Sequence, residues 1–365
     1  MKVKTNELKD KLVAPFSVVP TRPLQEVYEN FLVEVKGNEA SITGASEGIA
    51  LTTKVNVESA EDVSFLINAD KLVKIVSALN DEELRFDLSK NAVVLNTKRG
   101  KYKLPRGNVD DFILPDREDV NTSLNMAAET LKYGMKSVVY AAPGEGHNRE
   151  DLNGVAFDLK ETPCLVGTDS SRVSICKFND MHSEDTIYVL QKRTAEVLTK
   201  LLGTGDVKLE LNKSTIYVEA DGFSLMSLLL SSKYVNYKIM EKVVGDKTVE
   251  VNQKDLLATL KRIHVFSNSK FDCGTTLKFK QGMIEVSVEH LGKGENAFET
   301  VDCVYDGEDV TVQVSSEYLK SAIDHVSCDT VCLLLKDNES PIVVRPKEDL
   351  AGTSLIGYVT VLKIT

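Results

Sequence analysis

The chain states one pattern three times. From Asn30 it reads NFLVEVKGNEASITGASEGIALTTKV, from Asn153 NGVAFDLKETPCLVGTDSSRVSICKF, and from Thr275 TTLKFKQGMIEVSVEHLGKGENAFETV. Each segment alternates as a strand, a short polar turn, a strand, a longer polar turn and a strand. The copies lie roughly 120 residues apart, the size of a domain rather than of a solenoid unit. The flanks repeat as well. VSFLI, ADKLVKIVSAL, ELRFDL and AVVLN follow the first copy. TIYVL, QKRTAEVLTKLL, VKLEL and STIYVE follow the second, and VTVQV, SSEYLKSAIDHV, TVCLLLK and PIVVR the third. NELKDKLVAPFSVV, SLNMAAETLKYGMKSVVYAA and NQKDLLATLKRIHVFSN precede the copies, each helical in period. The pattern predicts an α+β chain of three domains, 1–118, 119–243 and 244–365. Each would pack two helices on antiparallel sheets of about eight short strands. Polar connectors near Asp116–Asn121 and Glu241–Asp246 mark the boundaries.

Charge is distributed unevenly over this plan. The net charge is −11, which argues against a protein coated in basic patches. The expected helices are Asn6–Val19, Asp70–Leu79, Ser123–Ala142, Gln191–Leu202, Asn252–Asn268 and Ser315–Val326. They carry thirteen Lys or Arg and eight Asp or Glu, so the rest of the chain holds an excess of acid. Lys132 and Lys136 are i,i+4, and Lys254 and Lys261 are i,i+7, so each pair shares a helix face. Leu256, Leu260 and Ile263 share another. One such helix reads as an ordinary solvated face. A basic bias over six helices of an acidic chain suggests a surface that meets a polyanion.

Motifs for chemistry are sparse. Six cysteines, at 164, 176, 273, 303, 328 and 332, form no CxxC, and the five histidines are scattered. Paired metal-ligand spacing is missing, and reduced, buried thiols are the expectation. The stretch LVGTDSSRVSI (165–175) holds two serines, but Gly167 lies three residues before Ser170 and no glycine follows, unlike a nucleophile elbow. GEGHN (144–148) lacks the lysine of a phosphate loop. No catalytic residue, metal or cofactor is expected. No apolar run is long enough to span a bilayer, and MKVKTNELKDKL lacks a signal-peptide core. The expected location is the cytoplasm.

Four stretches resemble one family, the bacterial DNA sliding clamp, the beta subunit of replicative DNA polymerase III. DLNGVAFDL (151–159) is similar to its L-N-G segment, and GTDSSRVSI to its T-D-G-H-R-L hairpin. SPIVVRP with YVTVLKIT resembles its C-terminal ending, and TRPLQEVYENFLVEV (21–35) its R-P-x-L-P-I-L entry. Ser170-Ser171 replace Gly-His, LQEV replaces LPIL, and Leu362 stands where proline is common. The last residues are Lys363-Ile364-Thr365.

The resemblance implies a clamp fold and a head-to-tail homodimer that closes into a ring around duplex DNA. Tyr102 would meet Val265 and Phe266 across the subunit contact. The helices would face phosphates without reading bases, through Lys74, Lys132, Lys136, Arg193, Lys200, Lys254 and Lys261, joined by Arg22 and Arg149 from loops. Each loop arginine reads equally well as a solvated side chain. Leu152, Thr168, Arg172, Val173, Pro341, Val359, Val361 and Leu362 would line an apolar groove. Polymerase, clamp loader and repair proteins would dock there a peptide of glutamine followed by aliphatic and aromatic residues. Val173 and Val359 also read as ordinary core. The implied activity is that of a non-catalytic processivity factor. The rival readings are a clamp-fold scaffold or decoy that does not encircle DNA, and an enzyme whose acid/base or metal constellation the spacing does not assemble.

Overall fold

The computed structural model describes residues 1–115, 117, 119–144, 146–267, 274–290 and 294–362. The first repeat runs β1 (Lys2–Lys4), α1 (Thr5–Phe16), β2 (Asn30–Lys36), β3 (Glu39–Ser46), β4 (Ile49–Asn56), β5 (Val63–Asn68), α2 (Ala69–Ala78), β6 (Glu83–Leu88), β7 (Ala92–Asn96) and β8 (Lys101–Pro105). The second runs β9 (Thr122–Ala127), α3 (Ala128–Val139), β10 (Val155–Asp158), β11 (Cys164–Thr168), β12 (Arg172–Phe178), β13 (Ile187–Leu190), α4 (Lys192–Leu201), β14 (Asp206–Leu211), β15 (Thr215–Ala220) and β16 (Phe223–Leu228). The third runs β17 (Lys247–Asn252), α5 (Gln253–His264), β18 (Thr275–Lys280), β19 (Met283–His290), β20 (Glu295–Val304), β21 (Val310–Val314), α6 (Ser316–Asp324), β22 (Thr330–Leu335), β23 (Ile342–Pro346) and β24 (Thr353–Val359). Strand, helix, four strands, helix and three strands thus occur three times in the same order.

One expectation needs correcting. Ser123–Ala142 does not form one helix, because Thr122–Ala127 is a strand paired along its length with β14. Thr122 is buried while Ser123, Asn125 and Ala127 are exposed, a period of two that six residues only faintly display. The same leading strand opens the other repeats as β1 and β17. Helix α5 ends at His264 rather than Asn268, which lies outside the described residues. Cys273 and Lys363-Ile364-Thr365 also lie outside them.

Contacts divide the chain into two units. One holds Met1–Leu131 and Val197–Leu229, the other Lys132–Glu196 and the chain from Leu230 on. In the first, an antiparallel sheet of order β1-β6-β7-β8 accompanies one of order β5-β2-β3-β4-β16-β15-β14-β9. Strand β16 of the second repeat therefore continues the first repeat's sheet at β4. In the other unit one sheet runs β13-β10-β11-β12-β24-β23-β22-β17-β20-β19-β18-β21, and β24 of the third repeat joins β12 of the second.

Helices sit close on these sheets. Leu8 and Leu12 of α1 and Leu72 and Val76 of α2 pack on Phe31, Val33, Ile42 and Phe65. A Cβ on Gly44 in β3 would lie 2.2 Å from the Pro15 carbonyl oxygen, and one on Gly167 in β11 2.2 Å from that of Val138. Pro15 and Val138 are both the eleventh residue of their helix. The same backbone approach is thus built twice, and only glycine permits it.

The far faces of the sheets differ between repeats. After β8, Val109, Phe112 and Leu114 cover Leu32, Ala45, Ala50 and Leu66. After β16, Tyr234, Tyr237, Met240 and Val243 cover Ala156, Cys164, Val166, Val173 and Ile175. Tyr237 donates its hydroxyl proton to the buried carboxylate of Asp158 at 2.6 Å, and Tyr234 donates to the Val166 carbonyl at 3.2 Å. Strands covered on both faces read as apolar runs, so Phe31, Leu32 and Val33 are all buried. In the third repeat Leu277 and Phe279 are buried, but Thr311, Lys278, Glu285 and Thr300 form a polar row across the strands. That face meets water.

Candidate functional site

Antiparallel pairing gathers the expected groove residues at one end of the larger sheet. The start of β10 lies beside the end of β11, and the start of β12 beside the end of β24, which lies beside the start of β23. Leu152 precedes β10, Thr168 ends β11, Arg172 and Val173 open β12, Val359 ends β24 and Pro341 precedes β23. Arg172 pairs with Val359, and Ile342 pairs with Val359 from the other side. Beyond β24, Thr360 donates its amide and its hydroxyl to the Ser171 carbonyl, at 3.0 and 2.9 Å. Val361 bridges to Val314, and the Leu362 amide reaches the Gln313 carbonyl at 2.7 Å.

The expected groove residues are not equally available. Leu152, Thr168, Val173 and Val359 are buried, while Arg172, Pro341, Val361 and Leu362 are partly exposed. Gly154, after Leu152, has φ +81°, and a Cβ there would lie 2.2 Å from the Leu190 carbonyl oxygen. That fixes the L-N-G turn. The Thr168 hydroxyl donates to the Arg172 carbonyl at 2.8 Å. Asp169 Oδ1 accepts the Ser171 and Arg172 amides, each at 3.0 Å, an Asx turn. Ser170 then takes φ +77°, a conformation in which glycine is at ease.

Arg172 is likewise committed inside the protein. Its Nε donates to Asp169 Oδ2 at 2.9 Å, and the side chain is 14% exposed. Its Nη1 donates to Ser321 Oγ, whose own proton goes to the Tyr318 carbonyl at 2.9 Å. The guanidinium carbon lies 5.5 Å from the centre of the Tyr140 ring and 4.7 Å from that of Tyr318. Tyr140, Tyr318, Ser321 and His325 were not among the expected residues. Their approach joins helices far apart in the chain, which local periodicity does not report.

The expected polyanion-facing residues lie on helices or loops. Arg22, Lys74, Lys136, Arg149, Lys200, Lys254 and Lys261 are exposed, and Lys132 and Arg193 are partly so. The shorter observed helices keep all thirteen basic and eight acidic residues. Some charges have neighbours: Lys74 Nζ is 2.8 Å from Asp70, Arg149 Nη2 2.6 Å from Asp151, and Lys254 Nζ 3.8 Å from Asp329. Helix α5 buries Leu256, Leu260 and Ile263 opposite Lys254 and Lys261. Buried Cys164 and Cys176 have thiols pushed up by loss of water to about 11 and about 12, far from thiolate chemistry.

Among the described strands, β8 and β20 are the counterparts of the β16 and β4 strands that pair between repeats. Strand β8, carrying the exposed Tyr102, ends its sheet and pairs only with β7 among the described residues. Strand β20 pairs along its length with β19 but meets β17 only at Cys303 and Val304. Phe298 on β20 is 62% exposed, and Val265 and Phe266, just past α5, are 78% and 39% exposed.

Comparison with known proteins places these features in one lineage. The beta sliding clamp of Proteus mirabilis is 23% identical over 342 residues, 92% of each chain. That of Pseudomonas aeruginosa is 24% identical over 339 residues, 91% of this chain and 92% of the other. The solved structure of DNA polymerase III subunit beta from Pseudomonas aeruginosa matches all of both chains with a TM-score of 0.92 at 22% identity. The same organism's sliding clamp bound to griselimycin matches with a TM-score of 0.92 at 22% identity, over 100% of this chain and 99% of that one. The models of the N-terminal, central and C-terminal domains of the DNA polymerase III beta subunit match residues 1–115, 125–236 and 244–359. With all three models matched in order, the chain belongs to the DNA polymerase III beta subunit family.

Proposed function

We propose that this protein is the processivity factor of a DNA polymerase, a cytoplasmic, non-catalytic homodimer that closes around duplex DNA and slides. One observation carries the reading. Each repeat passes its last strand to the fourth strand of its neighbour, β16 to β4 and β24 to β12; the corresponding strands left over are β8, paired with β7 alone among the described residues, and β20, paired with β19 but meeting β17 only at Cys303 and Val304. A second copy joined head to tail pairs β8 with β20 at both contacts, and the rotation closes the ring. Tyr102, Val265 and Phe266 belong to this contact. The three domains are 1–118, 119–243 and 244–365.

A ring holds DNA by topology, so its lining need only be diffusely positive. Lys74, Lys132, Lys136, Arg193, Lys200, Lys254 and Lys261, with Arg22 and Arg149, supply phosphate contacts without base readout. Leu152, Val173, Pro341, Val359, Val361 and Leu362 form the docking groove for peptides of polymerase, clamp loader and repair proteins, with Thr168 and Arg172 shaping its wall.

The test is retention. The protein is loaded on nicked circular plasmid by a clamp loader with ATP, alongside a clamp known to load, and half the DNA is linearised before gel filtration. Retention on circles with loss from linear DNA supports a closed sliding ring. Equal behaviour on both, with the control loaded, removes the function and leaves a clamp-fold scaffold.

A further inference from the structure

We infer that Arg172 is a positioning residue, a latch that fixes the Thr168–Val173 hairpin of the second repeat onto helix α6 of the third and so sets the shape of the docking groove. The inference rests on the groove reading above and adds how the groove is held. The latch is built from specific contacts. Asp169 holds the hairpin closed through the Ser171 and Arg172 amides and holds the Arg172 guanidinium through Oδ2. The guanidinium then leaves its own repeat. It donates to Ser321 and lies within cation–π range of Tyr318, both on α6, and of Tyr140 past the end of α3. Tyr140 in turn stacks on His325, with ring centroids 4.3 Å apart.

The backbone carries the latch into the groove. Ser171 accepts both donors of Thr360, and Leu362 is tied to Gln313, two residues before Ser315. Hairpin, C-terminal segment and the start of α6 therefore form one connected wall. A guanidinium engaged with a carboxylate, a hydroxyl and two rings is poorly placed to serve as a contact for an arriving peptide.

The test uses the whole protein, a labelled peptide of glutamine followed by leucine and phenylalanine, and amide hydrogen exchange at Ser171 and Arg172. Tyr318→Leu is expected to speed exchange at these amides and weaken peptide binding, each about tenfold, the scale of one desolvated cation–π contact. Tyr318→Phe, which keeps the ring, is expected to match the parent. Arg172→Ala should weaken binding in the parent and add nothing in Tyr318→Leu. Unchanged exchange in Tyr318→Leu overturns the latch, as does an equal Arg172→Ala loss with and without the Tyr318 ring, which would mean direct contact. Leu362→Asp tests the groove itself. If it leaves peptide binding unchanged, or the parent binds no peptide, the groove reading fails while the exchange result still decides the latch.

Discussion

Tyr140 and His325 stack with their planes 19° from parallel. His325 Nδ1 lies 2.8 Å from the Ser321 carbonyl, which can only accept, so Nδ1 carries a proton. Loss of water holds its pKa below the ordinary histidine value, and Lys136 and Arg172 push the same way against the Ser321 carbonyl and Asp324.

The direction of the pH effect follows. In the unfolded chain His325 takes up a proton near its ordinary value of about 6.5, while in the folded chain it resists until lower pH. Its contribution is fully present above about pH 6.5 and is lost as pH falls toward the depressed folded value. His325→Gln is expected to flatten the change in denaturant midpoint between pH 7.5 and 5.5. An unchanged slope would show that other groups govern that window.

Ser170 sits at φ +77°, where an L side chain costs about 1–2 kcal/mol relative to glycine. Glycine's greater freedom when unfolded returns part of that. Ser170→Gly is expected to raise stability by about 0.5–1 kcal/mol by chemical denaturation. A lowered midpoint would mean that the serine hydroxyl repays the strain.

Much of the fold was legible because strands with one wet face announce their period. Glu83–Leu88, Ala92–Asn96 and Val310–Val314 match the expected segments residue for residue. Thr122–Ala127 misled because Leu124 and Met126 suit either element and the strand runs directly into α3. The coverings at Phe112 and at Tyr234–Val243 were not legible, since their partners are strands far away in sequence. The site divided along the same line. Its expected strand-end residues all lie in the short stretches that carry the family resemblance. The commitments of Thr168 and Arg172 depend on backbone closure and on Ser321, 149 residues downstream, which no short window contains.

Gly44 and Gly167 make a paired test of helix seating. Adding a Cβ to either forces it to 2.2 Å from a helix carbonyl oxygen, so helix and sheet must part. Gly44→Ala and Gly167→Ala are each expected to lose about 2–3 kcal/mol. Gly37→Ala is the control. Its φ is +58° with nothing within 4 Å of the added carbon, so it should lose only about 1 kcal/mol, from strain alone. Equal losses at all three would mean that the close approaches relax freely.

Strands β8 and β20 also differ in charge. Lys98, Arg99, Lys101 and Lys103 are exposed at and before β8, and Asp302, Asp306, Glu308 and Asp309 are exposed at and after the end of β20. The acids act together: after burial, Asp309, Glu308, Asp246 and Asp306 all push the Tyr305 phenol up. The internal junctions β4–β16 and β12–β24 are antiparallel. In the proposed dimer the same arrangement would set the basic start of β8 against the acidic end of β20. Surface charge pairs are worth about 0.2–1 kcal/mol each and weaken with salt. Lys101→Glu with Lys103→Glu should therefore weaken the dimer about tenfold or more in sedimentation equilibrium, because two attractions become repulsions. Asp302→Lys in the same chain should restore part of the loss, and the parent dimer should loosen as salt rises. Self-association indifferent to both charge reversal and salt would place the contact elsewhere on the chain.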